Sequence, residues 1–353
     1  TVAEPVAPDE LVVGRAATVA TAFERVKAGG RGVAVVVDEG GRVAGTLTDG
    51  ALRRAALRWP SLDVPVTDVM SRRPVVAGVD DGDDEVRALL TAHRLPAVPV
   101  VDDGRLVGLR SSDEFDGLRG PAPVAVVMVG GRGQRLRPLT DKVPKPLLRI
   151  GGRTIVERII RNLGAAGVVD VYLAVNYMAA MFEERLGDGA PLGVRLHYVR
   201  EEEVLGTAGA LTLLPEVPAG PVLVTNGDLV TNLDYRALFD FHWHHGGAIT
   251  VASVEHHTSV PYGVLRVAED HLLAIDEKPT RRDLVNAGIY VLQPEVLRHL
   301  PRGVEVGMPD LIADVIAEGL SVHAFPVLEP WSDIGTPEEF ERVLLAFATG
   351  EEE

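Results

Sequence analysis

The sequence predicts an α/β protein made of two unlike halves, and three observations carry that reading. Short apolar runs at 33–37 and 124–129 have strand length and lead into glycine-containing turns. A strand–turn–strand pattern recurs in the first third at an offset of 63 residues, Gly45 answering to Gly108. Beyond residue 124, strand-like runs alternate with helical ones, the order that gives a mostly parallel sheet covered on both faces.

The first half supports the repeat element by element. "VAVVVDEGGRVAGTLTDGALRR" (33–54) and "LPAVPVVDDGRLVGLRSSDEF" (95–115) each give an apolar strand, an acidic-glycine turn and a second strand, then a polar cap and a helix. A helix precedes each strand pair, at 18–28 and at 83–93, the latter with acidic residues in its first turn. This half resembles a tandem pair of CBS modules, with copies at about 10–60 and 66–118 of a domain spanning 1–118. The resemblance implies an adenine-nucleotide partner, held in that family through a Gly-x-x-Thr-x-x-Asp pattern. The first copy reads Gly45, Thr48 and Ala51, so the ribose-binding carboxylate is missing; the second reads Gly108, Ser111 and Glu114. Nucleotide sensing is therefore doubtful, and a packing or dimerisation role is the plainer expectation.

Composition narrows the function classes. The 353-residue chain has 35 Lys+Arg against 51 Asp+Glu, a net charge of −16, which argues against nucleic-acid binding. No apolar run approaches a membrane span, and there is no cysteine for a disulfide, thiolate zinc site or nucleophile. The opening ten residues lack the basic and apolar regions of a signal peptide, so the expectation is a cytoplasmic protein. Residues 1–10 and the final "GEEE" read as solvated tails.

Residues 119–123 read as a linker and 124–350 as a second domain. Strands are expected at 124–129, 169–175 and 222–224, with a helix at 155–163. Ligands in such sheets bind beyond the carboxyl ends of strands. One such end opens "GGRGQRLRPLTDKVPKPLL" (130–148), a basic, glycine-rich patch in an acidic chain. The chain has four lysines, Lys27, Lys142, Lys145 and Lys278, and every other cation is arginine or histidine. The patch is not a Walker loop, since no Gly-x-x-x-x-Gly-Lys-Ser/Thr occurs, and not a dinucleotide fingerprint, because Leu136 stands where the third glycine should be. What remains is a turn whose backbone N–H groups can cradle phosphate oxygens, with cations beside it.

Two acidic positions complement it. "VTNGDLVT" ends a strand at Asn226-Gly227-Asp228, where a carboxylate can hold a hard divalent cation. "PWSDIGTPEEF" puts Asp333 in a glycine turn ahead of a helix capped by Thr336 with Pro337 at its first position. "IDEKPT" supplies Lys278. A compact ammonium suits a single phosphate oxygen, where guanidinium prefers a planar partner.

With "LGTAGAL" (205–211) and "NAGIY" (286–290), these motifs make residues 124 to about 345 resemble the sugar-1-phosphate nucleotidylyltransferases. The resemblance implies a Rossmann-like α/β/α domain of the GT-A type with a mixed sheet, following the N-terminal CBS pair. It also implies roles. Gly130, Gly131, Gly133, Gln134, Glu202, Glu203, Gly206 and Thr207 would bind nucleotide, and Arg135 would hold the triphosphate and departing pyrophosphate. Lys145 would contact phosphate at the reacting centre, and Asp228 and Asp333 would coordinate Mg²⁺. Lys278 would meet the sugar phosphate, with Gly263, Glu277 and Asn286 at the sugar. Gln134 departs from the usual Thr or Ser.

The implied reaction is NTP + sugar-1-phosphate → NDP-sugar + pyrophosphate. Its nucleophile is already anionic, so no general base is required. Guanine offers N1–H and N2–H₂ to a carboxylate, and Glu202 or Glu203 before "LGTAGAL" could accept them. GTP giving a GDP-sugar of mannose, heptose, glucosamine or cyclitol type is the leading expectation, with dTTP or UTP as alternatives. A non-catalytic, CBS-linked nucleotide sensor is the competing class. Both halves resemble families that self-associate, so a homo-oligomer is expected. "FHWHH" (241–245) reads as a helix end whose histidines meet the C-terminal dipole rather than a zinc site.

Overall fold

The computed structural model describes residues 10–59, 61–115 and 117–349; residues 1–9 and 350–353 of the expected tails lie outside this range. In the first repeat, strand Val33–Val37 lies between a parallel Val12–Gly14 and an antiparallel Val43–Thr48. In the second, Ala97–Asp102 lies between a parallel Ala77–Gly78 and an antiparallel Arg105–Ser111. The helices Val19–Gly29 and Asp83–His93 precede them, the first capped by Thr18, whose hydroxyl accepts from Thr21 N at 3.2 Å. Leu11, Val33, Val35, Ala97 and Leu109 form a shared apolar seam.

The two copies differ at their ends. The first continues into helix Asp49–Arg58, in line with the repeat pattern. The second stops at the single turn Ser112–Glu114, where that pattern predicts a helix. Gly117 and Gly120, both with positive φ, and Pro121 and Pro123 follow too closely for a helix to propagate.

The second half is a three-layer sandwich. Its seven-stranded sheet runs in the order Arg195–Arg200, Asp170–Val175, Val124–Met128, Val222–Asn226, Thr280–Leu292, Ile249–Ser259, Val322–Pro326. Thr280–Leu292 is antiparallel to both neighbours and the remaining pairs are parallel, so the sheet is mixed. The antiparallel strand follows from its connection: Ile249–Ser259 and Thr280–Leu292 are joined by a hairpin arm, Gly263–Ala268 and His271–Glu277. Strand Val124–Met128 shows how the layers are made. Ala125 and Val127 face one core with Ile155, Ile159, Ile160 and Leu163 of helix Ile155–Ala165, while Val126 faces the other with Leu211, Met308 and Leu311. Successive side chains point to opposite faces, so a strand covered on both sides is apolar throughout. No helix among the described residues is long and apolar enough to cross a membrane.

The halves dock through helix Asp49–Arg58, which packs on strand Val322–Pro326 and helix Tyr235–His245. Arg119 meets Asp240 at 3.0 Å, and Asp113 pairs with Arg236. Helix Tyr235–His245 ends in the histidine run, and His242 is buried between Thr250 Oγ1 (2.8 Å) and Gln293 Nε2 (3.0 Å).

Candidate active site

The site lies beyond the carboxyl ends of Val124–Met128 and Val222–Asn226, adjacent parallel strands. Each feeds a turn into the same cleft. After Val222–Asn226 the chain reverses at Gly227, whose N–H bonds Met128 O at 2.9 Å. A methyl group there would come within 2.5 Å of Val129 Cγ1 and 2.7 Å of Met128 O, so only glycine lets the turn close against the first strand. Asp228 follows it. The short strand Leu229–Thr231 then pairs antiparallel with Trp331–Asp333, register Leu229 to Asp333. That pairing brings together two aspartates separated by over a hundred residues.

Lys145 joins them. Its ammonium lies 2.5 Å from Asp228 Oδ2 and 3.5 Å from Asp333 Oδ1, with a side chain only 8% exposed. Buried prolines flank it in the turn Lys145–Leu147, fixing a flexible stem. Burial and then the charge of Asp228 push the Asp333 carboxyl above its ordinary range, while Lys145 pulls it down. Two like charges share one cation, the arrangement expected where a second cation also belongs.

The glycine loop forms the other wall. Gly133 takes a left-handed conformation (φ 57°), and its carbonyl accepts from Thr140 Oγ1 at 2.8 Å and Leu136 N at 3.0 Å. Gly131, Gly133, Gln134, Arg135, Lys145 and Asp228 line one cleft of about 380 Å³. Arg135 reaches across it to 3.6 Å from where a β-carbon on Gly335 would stand. Gly335 belongs to the turn after Asp333, where Glu339 accepts from Gly335 N and Thr336 N at 2.7 and 2.8 Å.

The other candidates lie elsewhere. Glu202 and Glu203 are exposed. Glu201, which no sequence motif singles out, is the residue beside the glycine loop: a methyl group on Gly130 would stand 3.3 Å from its Oε1. Leu205 N donates to its carboxylate at 3.3 Å, Asn176 Nδ2 to its carbonyl at 2.9 Å, and burial raises its pKa. The Thr207 hydroxyl accepts from Met308 N at 2.8 Å, and Gly206 abuts the Val306 backbone. Asn286 donates to Tyr290 OH and accepts from Gly288 N, at the bulge of strand Thr280–Leu292 that borders Asn226. Gly263 and Glu277 face each other across the hairpin arm, and Lys278 is exposed just past it with φ 48°.

The residues fit a magnesium ion. Mg²⁺ takes one or two carboxylates and completes its shell with water and substrate phosphates. Asp228 and Asp333 supply that pair, and Lys145 Nζ already stands between them as a cation. No group of three or more His, Cys, Asp or Glu able to hold a metal occurs among the described residues, so an ion held by the two aspartates would take its other ligands from water or substrate.

Comparison with known proteins gives the family. A family model described as nucleotidyl transferase matches residues 124–349, and one described as CBS domain matches 5–58 and 66–109. The chain belongs to the nucleotidyl transferase family. Among its relatives are a Mycobacterium tuberculosis protein named mannose-1-phosphate guanylyltransferase, 35% identical over 226 residues, and an Aspergillus fumigatus mannose-1-phosphate guanyltransferase, 36% identical over 236 residues. The matches cover 62% and 61% of this nucleotidyl transferase and 62% of each relative. A Bacillus anthracis crystal structure described as a glucose-1-phosphate thymidylyltransferase shares the fold, with TM-score 0.52 and 22% identity over 64% of this chain and 95% of that one.

Proposed function

We propose that this nucleotidyl transferase makes an NDP-sugar and pyrophosphate from a nucleoside triphosphate and a sugar-1-phosphate, with GTP as the nucleotide and a mannose-type sugar as the acceptor. The observation that carries the reading is that Lys145 and Asp228 line one cleft with the glycine loop, and that the Lys145 ammonium also reaches Asp333. The guanylyltransferase names of its relatives support the choice of base and sugar.

An anionic phosphate oxygen of the sugar phosphate attacks the α-phosphorus in line, and the bond to the β-phosphate oxygen breaks. No proton need be removed from the nucleophile, so the site is asked for positioning and charge neutralisation. Backbone N–H groups of Gly130, Gly131 and Gly133 line the nucleotide, with Gln134 beside it. Arg135 holds the triphosphate tail and the departing pyrophosphate, a planar donor against several oxygens. Lys145 hands its ammonium to a phosphate oxygen at the reacting centre. Asp228 and Asp333 would hold Mg²⁺, which when bound would offset the repulsion between the two polyanions and the developing charge. Glu201 is the base reader: its carboxylate can accept both N1–H and N2–H₂ of guanine, where thymine and uracil offer one donor. Gly263, Glu277, Lys278 and Asn286 serve the sugar phosphate.

The CBS pair serves as a packing module rather than an adenine-nucleotide sensor. In its second copy Glu114 already accepts from Ser111 N at 2.6 Å and pairs with Arg110 at 2.5 Å, and in its first Ala51 offers no carboxylate. The test is pyrophosphate release from GTP, dTTP, UTP, CTP and ATP, each with a panel of sugar-1-phosphates. GTP with mannose-1-phosphate should turn over fastest. Inertness with every pair, together with tight calorimetric binding of AMP or ATP, would favour the sensor.

A further inference from the structure

Arg53 belongs to the CBS half, and its guanidinium is buried where the two halves meet, with the side chain 1% exposed. Each of its three nitrogens donates. Nε donates to Asp49 Oδ2 at 2.7 Å, Nη2 to Glu329 Oε1 at 2.6 Å, and Nη1 to Glu329 Oε2 and Pro326 O at 2.9 and 3.0 Å. The cation also lies 4.3 Å from the Phe325 ring centre and 5.2 Å from that of Phe23. Although burial opposes ionisation of Glu329, the hydrogen bonds and charge of Arg53 hold its carboxyl below the ordinary range.

What this pair holds is the start of the segment that ends in Asp333. Glu329 turns back to accept from Leu328 N at 3.0 Å, and the Leu328 side chain packs against the CBS core. The next carbonyl, Pro330 O, accepts from Thr231 Oγ1 at 2.8 Å. Trp331–Asp333 then runs beside Leu229–Thr231, with Trp331 Nε1 donating to Ala287 O at 3.1 Å. Asp333 thus sits four residues from an anchor supplied by the other domain, on a strand of only three residues.

We infer that Arg53, with Glu329, is a positioning residue that sets the separation of Asp333 from Asp228 across the domain boundary. The inference rests on the proposed role of those aspartates at the metal. It also gives the CBS pair a use that needs no ligand of its own: the pair supplies one wall of the scaffold on which a metal ligand is mounted. A short strand with few ladder bonds cannot fix a carboxylate alone, so its register depends on what clamps its approach.

The test uses the full chain carrying Arg53→Lys, which keeps the charge but loses the fork. A second variant, Glu329→Gln, is isosteric and leaves Arg53 paired with Asp49. Two quantities are measured: the dissociation constant of Mn²⁺ for the protein alone, by water-proton relaxation, and the Mg²⁺ concentration giving half-maximal pyrophosphate release. Loss of support behind a metal ligand typically weakens binding about 10- to 100-fold, so Arg53→Lys should raise both by about tenfold and Glu329→Gln should move both the same way. A purely structural contact would lower the melting temperature or the active fraction and leave both metal constants in place. Unchanged Mn²⁺ affinity in a variant that melts like the parent overturns the inference, and Glu329→Gln decides the matter if Arg53→Lys does not fold. A parent chain that releases no pyrophosphate refutes the proposed function instead, while the Mn²⁺ comparison still reads the clamp.

Discussion

The candidate cleft and the hairpin arm carry the same residue type in opposite settings. In the cleft, Lys145 is buried, flanked by prolines and bonded to two carboxylates. On the arm, Lys278 is exposed, and its neighbours Leu265, Leu273 and Ile275 are 57%, 67% and 57% exposed. The cleft is pre-organised by the sheet beneath it, whereas the arm is a two-stranded ribbon without a core of its own. On the proposed function, chemistry that must not wait for reorganisation falls to the first, and adaptable recognition of a sugar phosphate to the second.

If that division holds, damage in the cleft should appear in turnover and damage on the arm in substrate affinity. The largest effect is expected for Lys145→Met and Asp228→Asn, each lowering kcat by about 10³-fold, measured by continuous pyrophosphate release at saturating substrates. Next comes Glu201→Gln, on the nucleotide side of the cleft. An amide cannot accept both guanine donors, so the preference for GTP over UTP in kcat/KM should fall by about 100-fold.

A smaller effect separates the sheet body from the arm through pH. Burial, then the charges of His323 and His245, depress the His242 pKa from 6.5 to about 4. The folded protein keeps this ring neutral while the unfolded chain protonates it below pH 6.5. The stability it contributes is therefore complete above 6.5 and is lost as pH falls towards 4. Between pH 7.5 and 5 the linkage amounts to about 2 kcal/mol, and His242→Gln should lose that much less in urea melts. Smallest is Lys278→Ala: one exposed charge removed should raise KM for the sugar phosphate about tenfold with kcat nearly unchanged. A large fall in kcat there would erase the contrast between the two regions.

The difference also explains what the sequence reveals. Residues of the cleft are legible because their types are constrained by chemistry: a glycine turn, rare lysines beside prolines, and aspartates at strand ends. The convergence of Asp228 and Asp333 is legible only as an implication, because it depends on pairing 229–231 with 331–333 across a hundred residues. The arm strands Gly263–Ala268 and His271–Glu277 give no clear signal, since neither face is buried and alternation has nothing to report. In "REEEVLG" three identical glutamates are indistinguishable by type. The backbone separates them: Glu201 N–H bonds Val175 O at 2.9 Å, whereas Glu202 and Glu203 are exposed. Arg53 is hidden for a similar reason, as one arginine in a helix whose partner Glu329 lies 276 residues away.

The most direct measurement is anomalous diffraction from a crystal of this chain grown with Mn²⁺ and a non-hydrolysable GTP analogue. The expected result is one manganese peak between the carboxylates of Asp228 and Asp333, with Lys145 Nζ moved onto a phosphate oxygen and guanine against Glu201. Nucleotide bound only at the CBS repeats, or a peak away from both aspartates with Lys145 still locked between them, would contradict it.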